Sequence, residues 1–236
     1  MMLLAQTMDI ARFIQIFLVQ GLAGLFYLFI AYKILKRETK GLNFILSSFY
    51  LCVGFAVIIN VIYAFIFVEE VVYILHVTTY FLLCFSLIFL LVFVLILLKS
   101  EEVFTPKLQL VLVIIFAILL IGLWLIPNGV TINESTNWKP DWSWTYLLYS
   151  FTVCSLFAIF PTIYLSIKLY RKFEYKELKK KLKFFLIGIS GYFFLYFGTS
   201  ISNTLNDPIF RIIWSLLSLP ALVSLYFVYF GVAKNL

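Results

Sequence analysis

The chain has 236 residues, of which 64% are hydrophobic and only 12% charged, with a net charge of +7. A soluble domain carries roughly 25% charged residues to cover its surface, so this composition excludes a soluble globular fold. The apolar residues fall in continuous runs rather than in the alternation of barrel strands. Each run is about 20 residues long, enough to cross a hydrocarbon core of about 30 Å as a helix.

Seven such runs follow one another. The chain opens Met1-Met2-Leu3-Leu4 without the basic region and small-residue cleavage site of a secretory signal, so the first run is expected to be a retained span. Helices are predicted over Phe13–Tyr32, Phe44–Val68, Val71–Leu98 and Leu108–Ile126, the last ended by the turn signal Pro127-Asn128-Gly129. Three more follow over Trp144–Leu169, Leu182–Leu205 and Pro208–Phe230. Helices are required because unpaired backbone groups in lipid are too costly for any open structure. The fold class expected is an all-α integral membrane protein, a single seven-transmembrane helix bundle over residues 1–236. Pro127 to Trp142 is too short to fold alone. With Trp138, Trp142 and Trp144 it reads as a loop on the membrane surface that lids the bundle. Asn133-Glu134-Ser135 fits an N-glycosylation acceptor, a match that short sequences make often by chance.

Charge sets the expected orientation. Lys33, Lys36, Arg37 and Lys40 follow the first helix, and Lys99 and Lys107 the third. Lys168, Arg171, Lys172, Lys176, Lys179, Lys180, Lys181 and Lys183 surround the fifth connection, and Lys234 lies near the end. These are fifteen of the 18 basic residues; Arg12, Lys139 and Arg211 occupy the other side. Short loops rich in Lys and Arg stay cytoplasmic, which places the N-terminus outside and the C-terminus in the cytoplasm of a multi-pass cell-membrane protein. The positive balance is thereby explained by topology and does not indicate nucleic acid. Contact of the Lys168–Lys183 stretch with anionic lipid head groups is a lesser expectation.

Chemistry-bearing residues are few. Cys52, Cys84 and Cys154 sit singly in apolar runs, without a Cys-x-x-Cys pair, and read as packing residues. The single histidine, His76, excludes bis-histidine haem and a zinc cluster, and the last helix lacks a mid-span lysine for a retinal Schiff base. No cofactor and no metal are implied, and the chain is expected not to be an enzyme. A sparse polar set remains toward the outer half: Asn60, His76, Thr78, Thr79, Tyr80, Tyr149, Thr152, Asn203, Asn206, Arg211 and Trp214. His76, Asn60, Tyr80, Asn203, Arg211 and Trp214 are the expected ligand-binding group, facing one outward-opening cavity with apolar walls. The competing reading of each is an interhelical hydrogen bond. Asp207 and Pro208 are expected to cap and start the last helix, with Arg211 one turn on to pair with Asp207. Gly188, Gly191, Gly198 and Ser202 on the sixth helix, and Gly21 and Gly24 on the first, permit close helix approach within the bundle or between copies of the chain.

The layout resembles the seven-helix N-terminal membrane domain of prokaryotic sensor histidine kinases. The likeness is one of organisation over the whole chain. It rests on short loops, the tryptophan-bearing segment before the fifth helix, the basic entry Lys179-Lys180-Lys181-Leu182-Lys183 and the exit Tyr229-Phe230-Gly231-Val232-Ala233-Lys234. What it implies is a sensing module that passes a signal to a cytoplasmic output domain. The chain ends at Leu236 without such a domain, so output is expected to need a cytoplasmic or membrane partner protein. Eukaryotic seven-helix receptors share the orientation but not their motifs, since the place after the third helix reads Lys99-Ser100-Glu101 and the last helix has Leu219-Pro220-Ala221. The function expected is a receptor or sensor-like module for a small, largely apolar ligand, with the lipid bilayer, a protein partner and a second copy of the chain as candidate partners. The alternatives are a seven-helix carrier and a structural or regulatory subunit. The missing internal repeat, and the absence of proline from the first three helices, count against the carrier.

Overall fold

A computed structural model describes residues 14–37, 41–100 and 102–232. Long apolar sequence, with every backbone N–H and C=O paired inside its own segment, gives helix almost throughout. Helix α1 is Gly21–Leu35, entered through a π-helical run Ile14–Gln20. Helices α2, Gly41–Tyr63, and α3, Glu69–Lys99, follow. Next come α4, Pro106–Leu125, and α5, Trp144–Lys172. Helices α6, Lys176–Leu205, and α7, Pro208–Gly231, complete the set. The six helices α2 to α7 are long and apolar enough to cross a bilayer, which makes the chain a multi-pass membrane protein. Between α4 and α5, strand β1, Val130–Thr131, pairs antiparallel with β2, Asp141–Trp142, in a short hairpin. Of the sequence expectations, those on Arg12, Phe13, Lys40, Glu101, Ala233 and Lys234 fall outside the described residues.

Several helices depart from the hydropathy pattern for identifiable reasons. Helix α2 was expected to reach Val68 but ends at Tyr63, where Phe65 and Ile66 bond back to Ile62 and Tyr63 and the chain reverses into α3. The turn residues are themselves apolar, so hydropathy does not mark the end. In α5 the run Ser155–Ile159 widens to π geometry just before Pro161, and the Phe160 N–H bonds to the Ser155 carbonyl. The wider turn makes room for a proline ring that would otherwise strike the preceding turn. Pro220 has the same deficit in α7, where the helix breaks at Val223 and resumes at Ser224.

Helix α3 is the central element; from Ser86 through Val94 every residue is buried. Helix α4 lies at the rim, with only Gln109, Phe116 and Leu120 buried in Pro106–Ile121, and the rest of its surface suits lipid. The expected small-residue contacts are made within the bundle. A Cβ on Gly188 would meet the Val228 backbone nitrogen at 2.6 Å, and one on Gly191 would meet the Ser224 Cβ at 2.3 Å. Both glycines therefore let α6 and α7 touch along their backbones. Gly24 meets Ile58 and Val57 of α2, whereas Gly21 has nothing within 4 Å. Alternation of the helices gathers the described lysines and arginines of the α1–α2, α3–α4 and α5–α6 connections at one end. The hairpin closes the other.

Candidate functional site

The hairpin end of the bundle is held by a directed chain of hydrogen bonds. Trp142 of β2 is buried, and its indole N–H donates to His76 Nε2 at 3.0 Å. An indole only donates, so Nε2 is an acceptor and the imidazole is neutral with its proton on Nδ1. His76 Nδ1 therefore donates to the Tyr63 hydroxyl, 3.0 Å away. Tyr63 donates in turn to Asn60 Oδ1, and Asn60 Nδ2 donates to Gln20 Oε1. The proton directions agree from end to end, so one relay links the hairpin to α3, α2 and the entry to α1. Position in the helices produces this. Asn60 and Tyr63 are three apart on α2 and share a face, and the tight α2–α3 turn sets that face against the first turns of α3.

A second network lies one turn deeper on α3. The Tyr80 hydroxyl donates to Ser150 Oγ of α5 at 2.8 Å and lies 3.1 Å from Ser200 Oγ of α6. Tyr196 of α6 reaches the same Ser150 at 3.4 Å, and its ring stacks on that of Tyr80 with centroids 6.2 Å apart. The two networks meet at Trp142, whose ring lies edge-on to Tyr80 at 4.5 Å and to Tyr146 at 5.1 Å. Tyr63, His76, Tyr80, Trp142 and Tyr146 are each at most 9% exposed, so the site is filled by its own side chains.

Three consecutive hairpin residues are gripped by three different helices. Arg211 Nη2 of α7 donates to the Pro140 carbonyl at 2.6 Å, Asn206 Nδ2 at the end of α6 donates to Asp141 Oδ2 at 2.9 Å, and α3 receives Trp142 through His76. Asn206 reaches Asp141 from a left-handed backbone, φ 49°, a conformation that asparagine tolerates at a helix end. The hairpin is also braced internally. Ser143 N–H bonds to the Gly129 carbonyl, and the Ser143 hydroxyl caps α5 at Tyr146 N–H. Asn133 caps its own short turn through Ser135 and Thr136, and its Nδ2 donates to Glu69 Oε1 at 3.4 Å. Its amide is thus used in structure at the sequon noted above.

Of the six expected site residues, four lie at linked positions. His76 and Asn60 lie in one relay, Tyr80 abuts it through Trp142, and Arg211 clamps the same hairpin. Arg211 also points its Nε at the Ser202 carbonyl, 3.5 Å away. Asp207 caps α7 as expected, accepting from Phe210 N–H at 2.6 Å. Trp214 is brought instead to the α6–α7 seam, where its indole donates to Thr199 Oγ1 at 3.1 Å and its ring covers Gly198. Asn203 is half-buried near the end of α6 and is not drawn into either network. Of the other polar residues, Thr78 and Thr152 bond carbonyls of their own helices, and Tyr149 ties α5 to the Leu119 carbonyl of α4. Sequence reasoning did not single out Gln20, Tyr63, Ser150, Ser200 or the indole of Trp142 as partners. Tyr63 was discoverable from its spacing to Asn60; the serines carry no signal apart from the fold. No protein-family model, curated protein or solved structure matches the chain.

Proposed function

We propose that the chain is a seven-span sensor of the cell membrane, with its N-terminus outside and its C-terminus in the cytoplasm. It detects a small, largely apolar molecule at the hairpin end and passes the change to a separate partner protein. The seventh span is supported by the seven-residue run Ile14–Gln20 leading directly into the 15 residues of α1, together about 30 Å of helix. The orientation is supported by the lysines and arginines of the three connections opposite the hairpin. The sensing module of the sensor histidine kinases, which the layout resembles, has this same organisation.

The observation that carries the reading is the grip on Pro140, Asp141 and Trp142 by α7, α6 and α3. A surface hairpin that merely closed a bundle would not need its indole inserted between α3 and α5. Here, withdrawing one side chain opens the relay through Tyr63 to α1 and frees the ring face of Tyr80, whose hydroxyl joins α3, α5 and α6. Occupancy at the hairpin end is thereby linked to the mutual position of five helices. Two arrangements biased by occupancy are what sensing requires.

The test needs no ligand. Spin labels at Glu102 and Glu174, at the lysine-rich end, are compared in the wild-type chain and in Trp142→Ala in lipid nanodiscs. The reading predicts a shifted or broadened distance distribution in the variant. An unchanged distribution in a folded variant whose hairpin has become protease-sensitive would refute it, and saturable tracer uptake by proteoliposomes would point to a carrier instead.

A further inference from the structure

We propose that Trp142 is a tethered stand-in for a free ligand, and that the ligand is a neutral, flat aromatic or heteroaromatic molecule with one N–H or O–H donor, indole being the minimal member. This rests on the sensor reading above and names the occupant of that same site.

The seat of the indole defines the chemistry it accepts. Its walls are the rings of Tyr80, Tyr146 and His76, with centroids 4.5, 5.1 and 5.8 Å from Trp142. Its one directional contact is the N–H bond to His76 Nε2. The rest of the relay commits the imidazole proton to Nδ1, so Nε2 presents a lone pair and selects a donor. A carboxylate or phosphate in that place would set oxygen lone pairs against the nitrogen lone pair. A fixed charge of either sign would be stripped of water among side chains at most 9% exposed, and none of the three ring walls supplies a counter-charge. A flat neutral ring with one donor meets each requirement.

A second observation shows bonding capacity that tryptophan leaves unused. The Tyr146 hydroxyl is buried without a hydrogen-bond partner although its ring touches Trp142. Buried hydroxyls are ordinarily satisfied. An occupant whose second small polar group reached this hydroxyl would satisfy it, which the tryptophan side chain, with its single N–H, does not. The stand-in is also releasable. The clamp on its strand includes the polar bonds from Arg211 and Asn206, and Asn206 and its bond to Asp141 are exposed.

A tethered occupant competes with a free one, so weakening the tether raises the apparent affinity for the free molecule. Binding of tritiated indole and of 1-methylindole, which has the same ring without the N–H, is measured on the full chain in nanodiscs. Wild type is compared with Arg211→Met, with Asn206→Ala at the exposed clamp as the milder second variant, and with His76→Leu. The proposal predicts saturable indole binding that tightens at least about threefold in a clamp variant. It predicts a preference over 1-methylindole of about tenfold, the loss expected when a buried acceptor goes unpaired, and loss of that preference in His76→Leu. Absence of saturable indole binding in both clamp variants, or equal binding of the two molecules, overturns it. If indole fails while Trp142→Ala still shifts the lysine-rich end, the ligand class is wrong and the sensor reading stands. If indole binds as predicted while that end stays still, the seat is as proposed and the sensor reading fails.

Discussion

Replacing Tyr63 with phenylalanine removes one oxygen from the middle of the relay and leaves the ring in place. Two hydrogen bonds go with it, the one from His76 Nδ1 and the one to Asn60 Oδ1. Interhelical bonds of this kind in membrane proteins average about 0.6 kcal/mol, which makes about 1.2 kcal/mol for an average pair. His76 is only 5% exposed, so its orphaned N–H has little access to water and costs about 1–3 kcal/mol. Asn60 is half-buried and able to turn toward water, so it adds little. The expected loss is about 1–3 kcal/mol, read by reversible unfolding in mixed micelles. Tyr164→Phe, at a side chain 66% exposed on α5, is the control and should be silent. A double-mutant cycle of Tyr63→Phe with His76→Phe should give a coupling of at least about 0.5 kcal/mol. A loss no larger than that of the control, with no coupling, would refute the relay.

Two further outcomes follow from the packing and the charge pattern. Gly188→Ala places a methyl group 2.6 Å from the Val228 nitrogen and 2.8 Å from the Ser224 carbonyl oxygen; backbone atoms cannot rotate away, so unfolding experiments should show a loss of about 1–3 kcal/mol, while Gly21→Ala, in open space, should be neutral. A reporter fused after Leu236 should be active only in the cytoplasm, because Lys and Arg collect at that end; activity only outside would overturn the orientation.

How far the sequence discloses this arrangement depends on which force sets each part. Spans and the Pro127-Asn128-Gly129 turn are legible because apolar length and turn chemistry are local properties. The early end of α2 at Tyr63 is not, since Phe65, Ile66, Phe67 and Val68 continue the apolar run and only the packing of α2 on α3 requires reversal. The inward faces are equally hidden: in lipid both faces of a helix are apolar, so periodicity does not separate Tyr63 or Tyr80 from the exposed Tyr32 or Tyr164. His76 and Asn60 stand out because polar groups are rare in such runs. Ser150 and Ser200 do not, although both bond the Tyr80 hydroxyl in the second network. Arg211 was legible as a cation near the hairpin boundary, but its acceptor is the backbone carbonyl of Pro140, which no side-chain pattern encodes.

The chain contains one histidine, so histidine labelled with nitrogen-15 reports on His76 with no ambiguity of assignment. Its ring nitrogens, observed by solid-state NMR in lipid bilayers at neutral pH, test the hairpin-to-helix relay most directly. The expected result is a neutral imidazole protonated on Nδ1, with an unprotonated, hydrogen-bonded Nε2 whose signal shifts in Trp142→Phe. An Nε2–H tautomer, an imidazolium, or an Nε2 indifferent to the loss of the indole would contradict it.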